Sequence, residues 1–302
     1  MRRAAIKRGL VLLAAAAATG CAAPGTNPPR AEPPSRIAPS PAPLPAPIGA
    51  IRLSGELVQG GLVLGDAPAG TVSLALDSRP VPFAPDGRFL IGFDRDAPAR
   101  ATLVATLADG RRTEQVLTVA PRAWAISRLP TLPKVPVPQP EFDARRPAEL
   151  AQIVAARAIR TDATGWRERF GWPVTGRIST LFGSQRIYAN GEAGSYHSGI
   201  DVARPTGTIV LAPADGVVIL AAASPFTLEG NLLMLDHGMG LSSAFLHLSR
   251  IDVAVGAHVR RGQPIGLVGA TGRATGPHLH WGLTWQGARL DPLLVTGPMP
   301  PR

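Results

Sequence analysis

Cysteine is nearly missing from this chain, with Cys21 alone among 302 residues. Without a second thiol there are no disulfide staples, so any domain here must be held by an apolar core or by metal. Long apolar runs are missing as well, because the stretch from Gly9 to Ala18 is too short to span a bilayer. Acidic residues are outnumbered, 21 against 31 lysines and arginines, for a formal charge of +10. Four of the basic residues lie in a leader expected to be removed, which leaves about +6. That balance suits an acidic polymer, whether nucleic acid, anionic lipid or a peptide network with free carboxylates, and does not choose among them. No H-E-x-x-H motif occurs, so a glutamate base of that arrangement is not expected. Histidine is scarce, and all six residues fall between positions 197 and 280.

What is present begins with MRRAAIKRGLVLLAAAAATGC, a basic start and a short apolar core that read as a signal peptide over residues 1–20. Cys21 directly after Ala18, Thr19 and Gly20 resembles the lipobox of bacterial lipoproteins, although Ala18 stands where that motif usually has Leu. The resemblance implies lipidation at Cys21. With Ala22 rather than Asp next, it also implies the periplasmic side of an outer membrane; otherwise the chain is periplasmic or secreted. Residues 21–50 form the lipidated cysteine and a tether whose prolines predict an extended spacer, up to roughly 75 Å at about 3.1 Å per residue.

The hydrophobic content of 45% supports ordinary cores, and the length is a soft prior for two domains. Short apolar runs with period-two stretches and turn-like Gly, Pro and Asp predict a small all-β module over 51–120, sandwich-like and without histidine. Residues 121–175 read as a linker with one short helix, its apolar face at Leu150, Ile153, Val154 and Ala158 and Pro147 near its start. Strand and turn patterns return over 176–294, and 295–302 is a tail. The fold class expected is mainly β, with a compact antiparallel sheet at the C-terminal end.

GATGRATGPHLHWGL (269–283) puts His278 and His280 one residue apart in an apolar run. On a strand both imidazoles share a face, while Leu279 and Trp281 point the other way. In YHSGIDVARPTGT, His197 and Asp201 are four apart, but Gly199 and Pro205 argue for a loop entering a strand rather than a helix. A catalytic zinc takes three protein ligands of the imidazole and carboxylate kind and leaves a fourth position open. His197, Asp201 and one histidine of the 278/280 pair make such a set, and the other histidine is left to act on substrate. His247, in LSSAFLHLSR, reads on its own as a core histidine, and His237 and His258 as structural or surface groups.

HSGID, DHGMGLSSAFLHLS and GQPIGLVGATGRATGPHLHWGL, in that order, resemble the lysostaphin-type zinc metallopeptidases, the LytM-like cell-wall endopeptidases, over about residues 176–293. The resemblance implies zinc ligands at His197, Asp201 and His280, catalytic histidines at His247 and His278, and one Zn2+ per chain. Phe245 stands where the family often has Tyr. By the same resemblance Arg186 and Asn190 border the substrate groove. The function implied is a zinc-dependent endopeptidase cutting peptide cross-links of peptidoglycan, with the D-Ala to diaminopimelate bond favoured. Peptidoglycan and, through the lipid, the membrane are the partners, with no nucleic acid. The alternatives are a non-catalytic regulator that activates another wall hydrolase, which loss of a ligand would favour, and a structural envelope protein with a closed metal site.

Overall fold

Alternation is clearest in Arg100–Leu107, where Ala101, Leu103, Ala105 and Leu107 are buried and the residues between them are half-exposed. In the computed structural model, which describes residues 49–128, 140–189 and 191–300, this strand centres a four-stranded sheet. A three-stranded sheet, Arg52–Ser54, Leu62–Asp66 and Arg88–Gly92, completes the N-terminal module. The sheets share a core that includes Val63, Phe89, Ile91, Leu103 and Leu117. Its tightest hairpin turns on Asp77 and Ser78, both with positive φ, the turn whose twist suits antiparallel strands.

The C-terminal part is built on an eight-stranded sheet. Its strands are β1 (Arg177–Thr180), β2 (Ile200–Ala203), β3 (Gly216–Ala221), β4 (Asn231–Asp236), β5 (Leu241–Leu248), β6 (His258–Val259), β7 (His278–Trp285) and β8 (Ala288–Leu290). The order is β6-β3-β4-β5-β7-β2-β1, with β8 also on β7, and every pairing is antiparallel. Leu279, Trp281, Leu283 and Trp285 point from β7 into the core. That core is continuous with the N-terminal module, where Gly92 comes up against Leu290 and Trp285. The mainly β fold expected from sequence is the fold observed.

The helix differs from the expectation in length and in face. Helix α1 runs Pro140–Ala158, so Pro147 lies inside it and costs one backbone hydrogen bond. Its buried residues are Glu149, Ile153 and Ala156, whereas Leu150 and Val154 are 44% and 66% exposed. Ile153 and Ala156 pack on Ile219, Phe226, Leu232 and Met234 of the sheet. Glu149 shares the buried face with Ile153 and Ala156 because it has partners there. Its carboxylate accepts the backbone N–H and the hydroxyl of Thr227 at 2.8 and 2.6 Å, with Arg145 and Arg146 close by. Cys21 and the tether through residue 48 lie outside the described residues. Among the described residues no helix is long and apolar enough to cross a membrane.

Candidate metal centre

Sheet register assembles the site. Asp201 on β2 lies directly opposite His280 on β7, and Ala203 opposite His278, so the carboxylate and both imidazoles share a face. His197 reaches the same place from the loop before β2. The chain there passes so close to β7 that a Cβ on Gly199 would lie 2.3 Å from the Trp281 carbonyl oxygen, so only glycine fits at that position.

The fifth residue arrives by an irregularity. Between β4 and β5, Leu233 pairs with Phe245 and Asn231 with Leu248, which leaves one extra residue on β5. His247 sits in that bulge with φ +64, a left-handed conformation rare for a residue with a side chain. Strict alternation would point it away from Leu246, which faces His280 across the strands. The bulge turns its ring to 4.8 Å from the ring of His278 and 6.3 Å from that of His280. The backbone N–H of His247 is held by the Glu229 carbonyl at 2.8 Å.

Hydrogen bonds set the tautomers. His197 Nδ1 lies 3.2 Å from the Leu181 carbonyl, His247 Nδ1 2.8 Å from that of Thr271 and His278 Nδ1 2.8 Å from that of Gly276. A carbonyl only accepts, so in each ring Nδ1 carries a hydrogen and Nε2 is the nitrogen left for another partner. His197 Nε2 then lies 3.0 Å from Asp201 Oδ1 and 3.0 Å from His280 Nδ1, which is itself 2.9 Å from Asp201 Oδ1. Three donor atoms converge on one point. For the Asp201 carboxyl, burial pushes the pKa up, but hydrogen bonds and charge from His197 and His280, when those rings carry protons toward it, outweigh burial and hold it far below the usual carboxylate range. Burial pushes His280 down and His247 down to about 4, which keeps the His247 ring neutral at ordinary pH.

The model of peptidase family M23 matches residues 195–292, a span that contains all five residues. A crystal structure from Pseudomonas aeruginosa assigned to peptidase M23 is 30% identical to this chain, with a TM-score of 0.61, covering 80% of this chain and 96% of that one. The chain belongs to peptidase family M23. Among M23 relatives, the peptidoglycan DD-endopeptidase ShyA of Vibrio cholerae is 41% identical over 123 residues, which is 41% of this chain and 28% of the relative. The DD-carboxypeptidase/endopeptidase Mpg of Neisseria meningitidis is 41% identical over 124 residues, again 41% of this chain and 28% of the relative. The chain thus spans little more than a quarter of the length of these curated relatives.

Other residues take places that the sequence had left open. His237 is fully buried behind β7: its Nδ1–H donates to the Asp215 carbonyl at 2.8 Å and its Nε2 accepts from the Ser243 hydroxyl at 2.7 Å, with Trp281 Nε1–H donating to that hydroxyl at 3.3 Å. It is a structural group, as its turn-like setting had indicated, and His258 is exposed. Arg186 is exposed on the strand Gln185–Ile187, which pairs in parallel with Ile126–Arg128, and Asn190 lies outside the described residues. Asp291 is 2% exposed and accepts a hydrogen bond from Arg122 Nη2 at 2.8 Å. No local pattern around it could have announced a partner 169 residues away.

Proposed function

We propose that this chain is a zinc-dependent endopeptidase that hydrolyses peptide cross-links of peptidoglycan, with the bond between D-Ala and diaminopimelate as the preferred target. The observation that carries the proposal is the convergence of His197 Nε2, Asp201 Oδ1 and His280 Nδ1 within about 3 Å of one another. When both rings turn lone pairs toward the carboxylate, as metal ligation requires, the three donors repel one another unless a cation sits among them. Tetrahedral zinc ligands at about 2.0–2.2 Å would be separated by roughly 3.3 Å, close to the spacing seen. The donor set therefore fits zinc, and its three residues leave one position open. A zinc held there supplies Lewis-acid activation of a water and polarisation of the scissile carbonyl.

The remaining work falls to His247 and His278. Neutral His247 offers Nε2 as a proton acceptor, because its Nδ1 is committed to Thr271. His278 has its Nδ1 committed to Gly276, and its Nε2 lies 3.7 Å from Asp201 Oδ1, so it stands beside the donor cluster without belonging to it. In this reading the two orient the attacking water and hand a proton to the leaving amine, which their closeness to each other and to the donor cluster supports. The substrate class is supported by the relatives named as peptidoglycan DD-endopeptidases and by the basic charge, which suits a wall rich in free carboxylates. Anchoring through a lipid on Cys21 and outer-membrane placement belong to the same proposal, carried by the N-terminal sequence.

The test is digestion of intact sacculi by the full-length protein, following released muropeptides with and without a chelator. Chelator-sensitive loss of cross-linked dimers is expected, and His278→Ala should abolish it. Binding of sacculi by metal-loaded protein without any cleavage would overturn catalysis and leave a regulator of another hydrolase.

A further inference from the structure

We propose that Arg95, from the N-terminal β-module, is a positioning residue for His197, so that the module acts as a brace for the metal-binding loop. The inference rests on the reading of His197 as a zinc ligand. Arg95 is 6% exposed. Its Nε–H donates to the Gly183 carbonyl at 3.0 Å, and its two terminal nitrogens donate to Gln185 Oε1 at 3.1 Å and Asp96 Oδ1 at 2.6 Å. The guanidinium carbon lies 5.3 Å from the Trp124 ring centroid and 5.0 Å from that of Tyr196.

What Arg95 grips is the segment to which His197 is tied. Gly183 N–H donates to the His197 carbonyl at 2.9 Å, His197 N–H donates to the Ser184 carbonyl at 2.8 Å, and His197 Nδ1–H donates to Leu181. Residues 181–184 thus fix the backbone, ring orientation and tautomer of His197, and Arg95 fixes Gly183 from the far side. Tyr196, the next residue along the chain, is anchored to the same module through its hydroxyl, which donates to Asp94 Oδ1 at 2.8 Å. Only a guanidinium combines flat faces for two rings with donors splayed toward three acceptors, so lysine is a partial substitute at best. Groups that orient a metal-binding histidine from outside typically change metal affinity when removed.

The experiment is a zinc titration of full-length apo-protein against a chromophoric chelator, with the visible spectrum of the Co2+-loaded protein as a second readout. Arg95→Met is expected to weaken zinc binding about 10- to 100-fold and to alter the cobalt spectrum, with Arg95→Lys in between and His197→Ala the most severe. Apo Arg95→Met should still unfold in one cooperative transition. Should it fail to fold, Trp124→Leu, which removes the ring packed on Arg95 and Gly183, is expected to weaken zinc binding in the same direction. Wild-type zinc affinity in either variant, with His197→Ala clearly impaired, overturns the brace. If wild-type protein and His197→Ala alike fail to bind zinc, the metal reading itself has failed and the brace falls with it.

Discussion

His278 and His280 are neighbours on one face of β7, yet their surroundings give them different work. His280 Nδ1 points at Asp201 and His197, while His278 spends its Nδ1 on a carbonyl. His280→Ala should therefore lose zinc, read by metal analysis of purified protein. His278→Ala should retain one zinc per chain and lose turnover by about 100- to 10,000-fold, the range for a lost acid–base group. Equal zinc loss in both would show that they act as one ligand pair. His237 makes a different prediction, about stability. Burial holds its folded pKa at about 4, below the ordinary value of 6.5. As pH falls, the unfolded chain takes up the proton first, so this contribution is flat above about 6.5, declines down to about 4 and is flat again below. The loss amounts to about 3 kcal/mol, measured as the pH-dependent difference in unfolding free energy between wild type and His237→Phe. A difference that does not vary over that interval would contradict it.

At the scale of elements, α1 works through the loop it clamps. Arg146 donates two hydrogen bonds to Glu229, at 2.6 and 2.8 Å, and the Glu229 carbonyl holds the backbone N–H of His247 in its bulge. Arg146→Met should cost about 2 kcal/mol, the scale of a lost charge-assisted bond, read by urea denaturation. Because the three residues proposed to hold zinc are untouched, turnover should fall while bound zinc stays at one per chain; unchanged turnover would detach the helix from the site. The helix also shows how far sequence could be read. Its presence was legible from apolar spacing, but of its buried face only Ile153 was. Period alone favoured Leu150 and Val154, and the charge of Glu149 is tolerated inside only because Thr227, Arg145 and Arg146 meet it there. The strand β7 was legible in full, since alternation dictates which residues share a face whatever the fold around it.

Among the described residues of Pro47–Arg302, the two β-rich parts share one continuous core. Arg122, from the linker, ties them together: its backbone and side chain bond to Gln59, and its guanidinium pairs with Asp291, which is almost wholly buried. Removing the cation leaves an uncompensated buried carboxylate, so Arg122→Met should cost about 3 kcal/mol. Calorimetry should show a single transition for this unit, shifted down by the variant without splitting. Two separate transitions in the wild type would mean that the module and the sheet fold independently.

The sequence by itself determined the chemistry available: a strand that presents two imidazoles on one face, a histidine and an aspartate four residues apart in a loop entering a strand, and no disulfides to hold them. Those are local properties, set by the period of a strand and the size of a side chain. Tertiary structure alone decided that Asp201 lies opposite His280, that a bulge in β5 turns His247 toward the cluster, and that Arg95 reaches Gly183 from 88 residues away. Each of these depends on strand register or on a buried charge meeting its partners, and neither is settled until distant parts of the chain pack together.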